Sequence, residues 1–120
     1  MGHTTAKVRL YSPLDLSKYL DLELLVDEGS TYTWIKRNRL VRLGIRPMSR
    51  RRFRTIENRI IEREIGEAVI ECLRERATCI VVFAEEDEVE VLGVIALENL
   101  ALEVDPVTKQ LKKAEAVLAL

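Results

Sequence analysis

The sequence predicts a mainly-β domain carrying one or two short helices. Three observations predict it. Apolar and polar residues alternate with period two through much of the chain, as in Lys7-Val8-Arg9-Leu10-Tyr11 and Leu20-Asp21-Leu22-Glu23-Leu24. β-Branched and aromatic residues fill Thr31-Tyr32-Thr33-Trp34-Ile35 and Cys79-Ile80-Val81-Val82-Phe83. Helical signals are confined to two short stretches, each bordered by a glycine.

Taken in order, the first strand covers 7–11 and places Val8 and Leu10 on one face, with Ser12-Pro13-Leu14-Asp15 as a turn. The alternation at 20–24 continues through Leu25-Val26 into the interior. Asp27-Glu28-Gly29-Ser30 breaks that strand, and 31–35 resumes it. A helix is predicted over about 37–43, capped by Gly44 and stopped by Pro47. Residues 48–56 read as a basic strand with a turn near Glu57-Asn58. Residues 59–73 read as a long strand with Gly66 marking a bulge. The turn Arg74-Glu75-Arg76 leads into the apolar run 79–83, a buried strand. The acidic loop Glu85-Glu86-Asp87-Glu88 precedes a strand over 89–92, and after Gly93 a second helix covers 94–100. Glu103-Val104-Asp105 and Gln110-Leu111-Lys112 flank a turn at Pro106-Val107-Thr108-Lys109.

The 120 residues fit one domain, 1–120, with no linker or low-complexity segment dividing it. Lys and Arg number 19 against 20 Asp and Glu, for a net charge of −1, which excludes a globally basic nucleic-acid binder and an acidic solvating tail. Uncharged apolar stretches such as 77–84 fall far short of the ~20 residues of a membrane span. Residues 1–10 lack an apolar signal core, so the expected compartment is the cytoplasm. One histidine and two cysteines make no zinc cluster, and His3 reads as part of a frayed end with Met1 and Gly2. Cys72 and Cys79 read as buried or half-buried free thiols. A two-residue turn at Glu75-Arg76 would set them directly opposite each other, near enough to bridge.

The segment most informative about function is Leu24-Leu25-Val26-Asp27-Glu28-Gly29-Ser30-Thr31. A carboxylate directly follows a hydrophobic strand and enters a turn containing glycine. An acid held there is fixed by a rigid strand yet exposed at a sheet edge or interface. Spacing alone leaves two readings: a turn aspartate capping backbone N–H groups, or a positioned acid.

Val26-Asp27-Glu28-Gly29-Ser30 resembles the Asp-Thr/Ser-Gly-Ala/Ser signature of retroviral-type (retropepsin-like) aspartic proteases, where the signature follows an apolar strand and precedes a further β-run. Val91-Leu92-Gly93 with its trailing helix is similar to the hydrophobic-hydrophobic-Gly motif near the end of that family's domain. Residues 53–65 stand where the family places its flap hairpin. The resemblance covers roughly 6–113 and implies a closed β-barrel, the acid-protease lobe. It implies Asp27 as the catalytic acid, with Gly29 letting the backbone approach it. It implies substrate contacts from Ser30 and from the flap tip Ile56, Glu57 and Asn58.

Peptide hydrolysis by carboxylates requires two of them sharing one proton: one activates water, the other polarises the scissile carbonyl. Like charges held close push one pKa up and the other down, so identical side chains supply acid and base. This chain offers one Asp in that setting, so the dyad forms only from Asp27 of two chains across a two-fold axis. The implied function is a homodimeric aspartic endopeptidase acting on peptide or protein substrates, with no metal or organic cofactor and no membrane partner. The family has Thr or Ser where Glu28 stands, and that hydroxyl hydrogen-bonds across the axis. An ionised Glu only accepts, and two Glu28 beside two Asp27 would crowd four carboxylates near one axis. The alternative is a retropepsin-like dimer that no longer cleaves and serves as a peptide-binding or interaction module.

Other features have plain readings. Arg50-Arg51-Arg52 with Arg54 reads as a solvated basic strand; phosphate, an acidic peptide or Glu28 are alternative partners, and nucleic acid is not expected of so short a run. Tyr32 and Trp34 read as core or interface packing, with pocket wall as the alternative. Residues 85–88 read as a solvated turn, since they lack the spaced ligands of a calcium loop.

Overall fold

Strand follows strand through most of the computed structural model, which describes residues 3–116, 118 and 119; Met1 and Gly2 of the expected frayed end lie outside them. The order is β1 (Thr5–Ser12), β2 (Asp15–Val26), β3 (Thr33–Lys36), α1 (Arg37–Arg42), β4 (Ser49–Arg54) and β5 (Ile60–Cys72). Then come β6 (Glu75–Ala84), β7 (Val91–Leu92), α2 (Val94–Asn99), β8 (Leu102–Val104) and β9 (Leu111–Lys113). The chain is therefore mainly β with two short helices.

Seven strands form one sheet in the order β1-β2-β7-β3-β6-β5-β4, while β8 and β9 pair separately. Strand β5 also pairs with β1, Leu10 opposite Ile70, so the sheet returns to its first strand. The pairs β2–β7 and β3–β6 are parallel, and the other pairings are antiparallel. Period-two alternation sends Ala6, Val8 and Leu10 of β1 inward with Ala68, Ile70 and Cys72 of β5 and Cys79, Val81 and Phe83 of β6. Leu24, Ile35 and Leu92 complete the middle of this core, and all three are essentially solvent-free. Each such side chain contributes about 1.5–3 kcal/mol by leaving water.

Helix α1 ends as its glycine predicts. Gly44 takes φ 78°, its N–H donates to the Val41 carbonyl, and the Ile45 N–H reaches back to Leu40. This closing arrangement satisfies two carbonyls the last turn would otherwise leave orphaned, and it folds Ile45 into the core beside Leu40. Helix α2 starts after Gly93 and buries Ala96 and Leu97, with Leu100 just beyond its end, against the same core.

Several expectations are corrected. Strand β2 begins at Asp15 rather than Leu20, leaving only Pro13 and Leu14 between β1 and β2; 15–19 are exposed throughout, so no burial alternation signalled them. Strand β3 begins at Thr33, and β7 is confined to Val91–Leu92, with Val89 exposed outside it. No bulge occurs at Gly66, which pairs in unbroken register with Val81. Its missing side chain instead admits close neighbours, since a Cβ there would lie 3.0 Å from the Arg46 carbonyl and 3.1 Å from the Phe83 ring. The β5–β6 turn is Leu73-Arg74, with φ of 49° and 70°, the double positive φ of a primed hairpin turn. The register then sets Cys72 opposite Glu75 and Cys79 opposite Ala68, so the cysteines do not face each other. Both are buried free thiols, and burial pushes both thiol pKa values up. Among the described residues no helix is long and apolar enough to cross a membrane.

Candidate functional site

Asp27 is the first residue beyond β2, and its backbone is held from both sides. Val26 pairs with Leu92 and donates its N–H to the Thr4 carbonyl at 2.8 Å; the Asp27 N–H donates to the Leu92 carbonyl at 3.0 Å. The half-buried Asp27 carboxylate then accepts the Gly29 N–H on Oδ1 at 2.9 Å, and the Asp27 carbonyl accepts the Ser30 N–H at 3.1 Å. A methyl group on Gly29 would lie 3.2 Å from Oδ1, tighter than an ordinary contact, so glycine suits this close approach. The turn-capping reading of Asp27 is thus present in Oδ1, while Oδ2 has no hydrogen-bond donor among the described residues.

The loop after the turn is tied to α2. The Ser30 carbonyl accepts the Val94 N–H at 2.8 Å, the Thr31 carbonyl accepts the Ile95 N–H at 3.1 Å, and the buried Thr33 hydroxyl accepts the Gly93 N–H at 3.0 Å. These bonds satisfy N–H groups that the first turn of a helix leaves without intrahelical partners. The consequence is a rigid seat for Asp27.

Facing that seat is the β4–β5 hairpin. Its loop is Ile56-Glu57-Asn58, closed by Thr55 N–H to the Arg59 carbonyl at 2.8 Å and Asn58 N–H to the Thr55 carbonyl at 2.9 Å, with Asn58 at φ 64°. Asparagine is among the few side chains that tolerate the left-handed position a three-residue hairpin needs. Between the hairpin and the Asp27 turn runs an open cleft of about 930 Å³. Phe53 from β4 meets Trp34 at 5.1 Å between ring centroids and Tyr32 at 6.0 Å, both edge-on, which roots the hairpin on the strand that follows the turn. Arg63 on β5 grips Glu88 of the β6–β7 loop at two points, Nε–Oε1 at 3.1 Å and Nη2–Oε2 at 2.6 Å. The Arg63 guanidinium holds the Glu88 carboxyl below its usual range.

This one cleft brings together Asp27, Gly29, Ser30, Ile56 and Glu57; Asn58 does not line it and serves the turn, its Oδ1 accepting from Arg54 at 2.7 Å. Tyr32 and Trp34 are half-buried and form the cleft wall, the alternative of the two readings. Phe53 and Arg51 were missed as wall residues. Their signal was available: two-residue spacing on β4 puts both on one face, opposite an equally spaced Tyr32 and Trp34. The basic run is an exposed strand as expected, with Arg50 bonded to Glu62 at 2.8 Å and Arg51 to the Tyr32 hydroxyl at 2.6 Å. In the acidic loop Glu85, Glu86 and Asp87 are exposed as expected, while Glu88 is tied to Arg63 and also accepts the Glu85 N–H at 2.7 Å. Glu28 is exposed, lies off the cleft wall and forms no ion pair among the described residues.

A separate depression of about 620 Å³ lies over β1, β2 and the end of β5, where Arg9 and Asp21 neutralise each other. It holds no carboxylate fixed on a turn. Among the described residues no group of three or more His, Cys, Asp or Glu side chains is placed to hold a metal ion. No family model matches the chain, and no curated protein matches it.

Proposed function

We propose that the chain is one half of a homodimeric aspartic endopeptidase with a retropepsin-like closed-barrel lobe, Asp27 of each protomer supplying one member of the dyad. The observation that carries the reading is the placement of Asp27: an acid rigidly seated at the end of a buried strand, opening onto a cleft roofed by a β-hairpin. The return of β5 onto β1 supports a closed lobe. The apolar walls from Trp34, Phe53 and Val91 suit a peptide's side chains, and the hairpin suits a flap that excludes water.

In the dimer, the ionised Asp27 takes a proton from water as the oxygen adds to the scissile carbonyl carbon. The protonated Asp27 of the partner donates to the carbonyl oxygen. Collapse of the tetrahedral intermediate breaks the C–N bond as a proton passes to the leaving nitrogen. Gly29 N–H on Oδ1 orients the carboxylate. The test is digestion of a mixed peptide library across acidic to neutral pH by wild type and Asp27→Asn. Cleavage with a bell-shaped pH profile that vanishes in the variant supports the reading; cleavage that survives it refutes the assignment of Asp27.

One observation favours a second reading, a dimer that binds peptides without cleaving them. Glu28, exposed and without an intrachain ion-pair partner among the described residues, sits beside the residue that would face the axis. Peptide binding by wild type with no cleavage at any pH would select it.

A further inference from the structure

We propose that Arg51 and the Tyr32 hydroxyl form a subsite for an acidic side chain of the bound peptide, next to an apolar subsite walled by Trp34 and Phe53. The proposal rests on the peptide-cleft reading above for the nature of its occupant. It starts from one face of β4: Phe53 packs on Tyr32 and Trp34, and Arg51, two residues earlier, hydrogen-bonds the Tyr32 hydroxyl.

Across the hairpin Arg51 stands directly opposite Arg63. Two cations in directly opposed positions repel unless each finds a partner. Arg63 has one, the two-point pair with Glu88. Arg51 does not. Its contacts are neutral: the phenol oxygen at 2.6 Å, and the Tyr32 ring, whose centroid lies 5.5 Å from the guanidinium carbon.

Several other arginines do have carboxylate partners: Arg9 with Asp21, Arg37 with Glu64, Arg39 with Glu90, Arg50 with Glu62, Arg76 with Glu71. Arg51 is left facing the cleft, with Arg52 and Arg54 beside it on the same hairpin. Of the acids on that wall, Glu88 is taken by Arg63, Asp27 accepts the Gly29 N–H, and Glu57 at the hairpin tip forms no ion pair with Arg51 among the described residues. A guanidinium carries five donors and fits a carboxylate with two parallel hydrogen bonds, so one bond to Tyr32 leaves Arg51 able to grip Asp or Glu. The aromatic wall next to it takes an apolar neighbour in the same peptide. The preferred substrate therefore carries an apolar residue and, close to it, an acidic one.

Trp34 is the sole tryptophan and lines the cleft, so its emission reports occupancy independently of cleavage. The experiment uses peptides with a central Phe and either Glu or Gln at each of the three positions on both sides. Binding is followed by Trp34 emission in the Asp27→Asn protein and cleavage by mass spectrometry in wild type. At one position or more, Glu should bind about tenfold tighter than Gln. Arg51→Gln should abolish that difference. Arg51→Lys, which keeps the charge but loses the fork, should retain part of it, which also guards against a variant that merely unfolds. No Glu preference at any position, a preference that survives Arg51→Gln, or no emission change with any peptide up to millimolar concentration overturns the proposal. Cleavage without acidic preference would overturn it and leave the peptidase reading standing; an Arg51-dependent preference without cleavage would do the reverse.

Discussion

Gly93 and Tyr32 are in backbone contact so close that a methyl group on Gly93 would lie 2.3 Å from the Tyr32 carbonyl oxygen. The same methyl would lie 2.9 Å from the Ser30 carbonyl. Both obstacles are main chain, in the loop that carries the Asp27 turn into β3, so neither can rotate away. The backbone of Gly93 has an ordinary extended conformation, so the requirement for glycine is steric.

Gly93→Ala is accordingly expected to destabilise the protein by about 3 kcal/mol, because relief requires shifting the loop or α2. Urea unfolding measures it as a lowered midpoint with an unchanged slope. Substrate binding should weaken along with stability, since the displaced loop is the one that seats Asp27. A variant as stable as wild type would mean the contact relaxes at little cost.

Phe53→Ala should loosen the hairpin more than the core. It removes two edge-on aromatic contacts, worth about 0.5–1.5 kcal/mol each. Amide exchange within 51–61 is expected to accelerate by an order of magnitude or more, with Trp34 emission shifting to the red. Slow exchange at Leu10 and Val81 should change only by the global loss of stability. Equal acceleration in both regions would show that the hairpin does not open on its own.

The strand pattern was legible because burial and period coincide: Val8, Leu10, Val81 and Phe83 point inward where alternation says they should. The Gly44 closure was legible because glycine suits its positive φ, and the turn at 106–109 because Asp105 caps the Val107 and Thr108 N–H groups beside Pro106, although Lys109 takes φ 61° there. Leu73-Arg74 was not, because neither residue favours positive φ; the long β5–β6 register imposes it, and with it the offset of Cys72 from Cys79. Asp27 and its glycine stood out because a strand, an acid and a turn are consecutive in the chain. The cleft wall opposite did not, because Phe53 meets Trp34 only through the fold, and the partner of Glu88 lies twenty-five residues away in the chain.

Glu28→Thr is expected to strengthen the proposed dimer by about tenfold in Kd. The substitution removes two carboxylates from beside the axis and supplies a hydroxyl that can both donate and accept, at about 1 kcal/mol per hydrogen bond. No intrachain ion pair is lost, since none engages Glu28 among the described residues. Sedimentation of the two proteins over a concentration series gives the answer. A mutant that dissociates more readily would show that Glu28 pairs across the interface.

Acid should destabilise the fold partly through Asp105. The Thr108 and Val107 N–H groups, with Lys112, hold its carboxyl down to about 2 from 3.8. A carboxyl whose pKa is depressed by folding stabilises the protein above its unfolded pKa, and that stabilisation is lost as pH falls through the folded value. The melting temperature of wild type should therefore drop more steeply between pH 4 and pH 2 than that of Asp105→Asn, which has no proton to take up. Parallel curves would show that the turn at 105–108 is already open in the native protein at these pH values.

The central claim, that one Asp27 from each of two chains makes the dyad, is tested most directly by mixing. Wild-type chain is held at a fixed concentration near the dimer Kd, and Asp27→Asn chain is added in increasing amounts while peptide cleavage is followed. A shared dyad predicts that activity falls steadily as wild-type chains are drawn into mixed dimers with only one aspartate at the axis. Cleavage that stays constant as the Asp27→Asn chain is added, or that is absent from wild type at every pH, would contradict it.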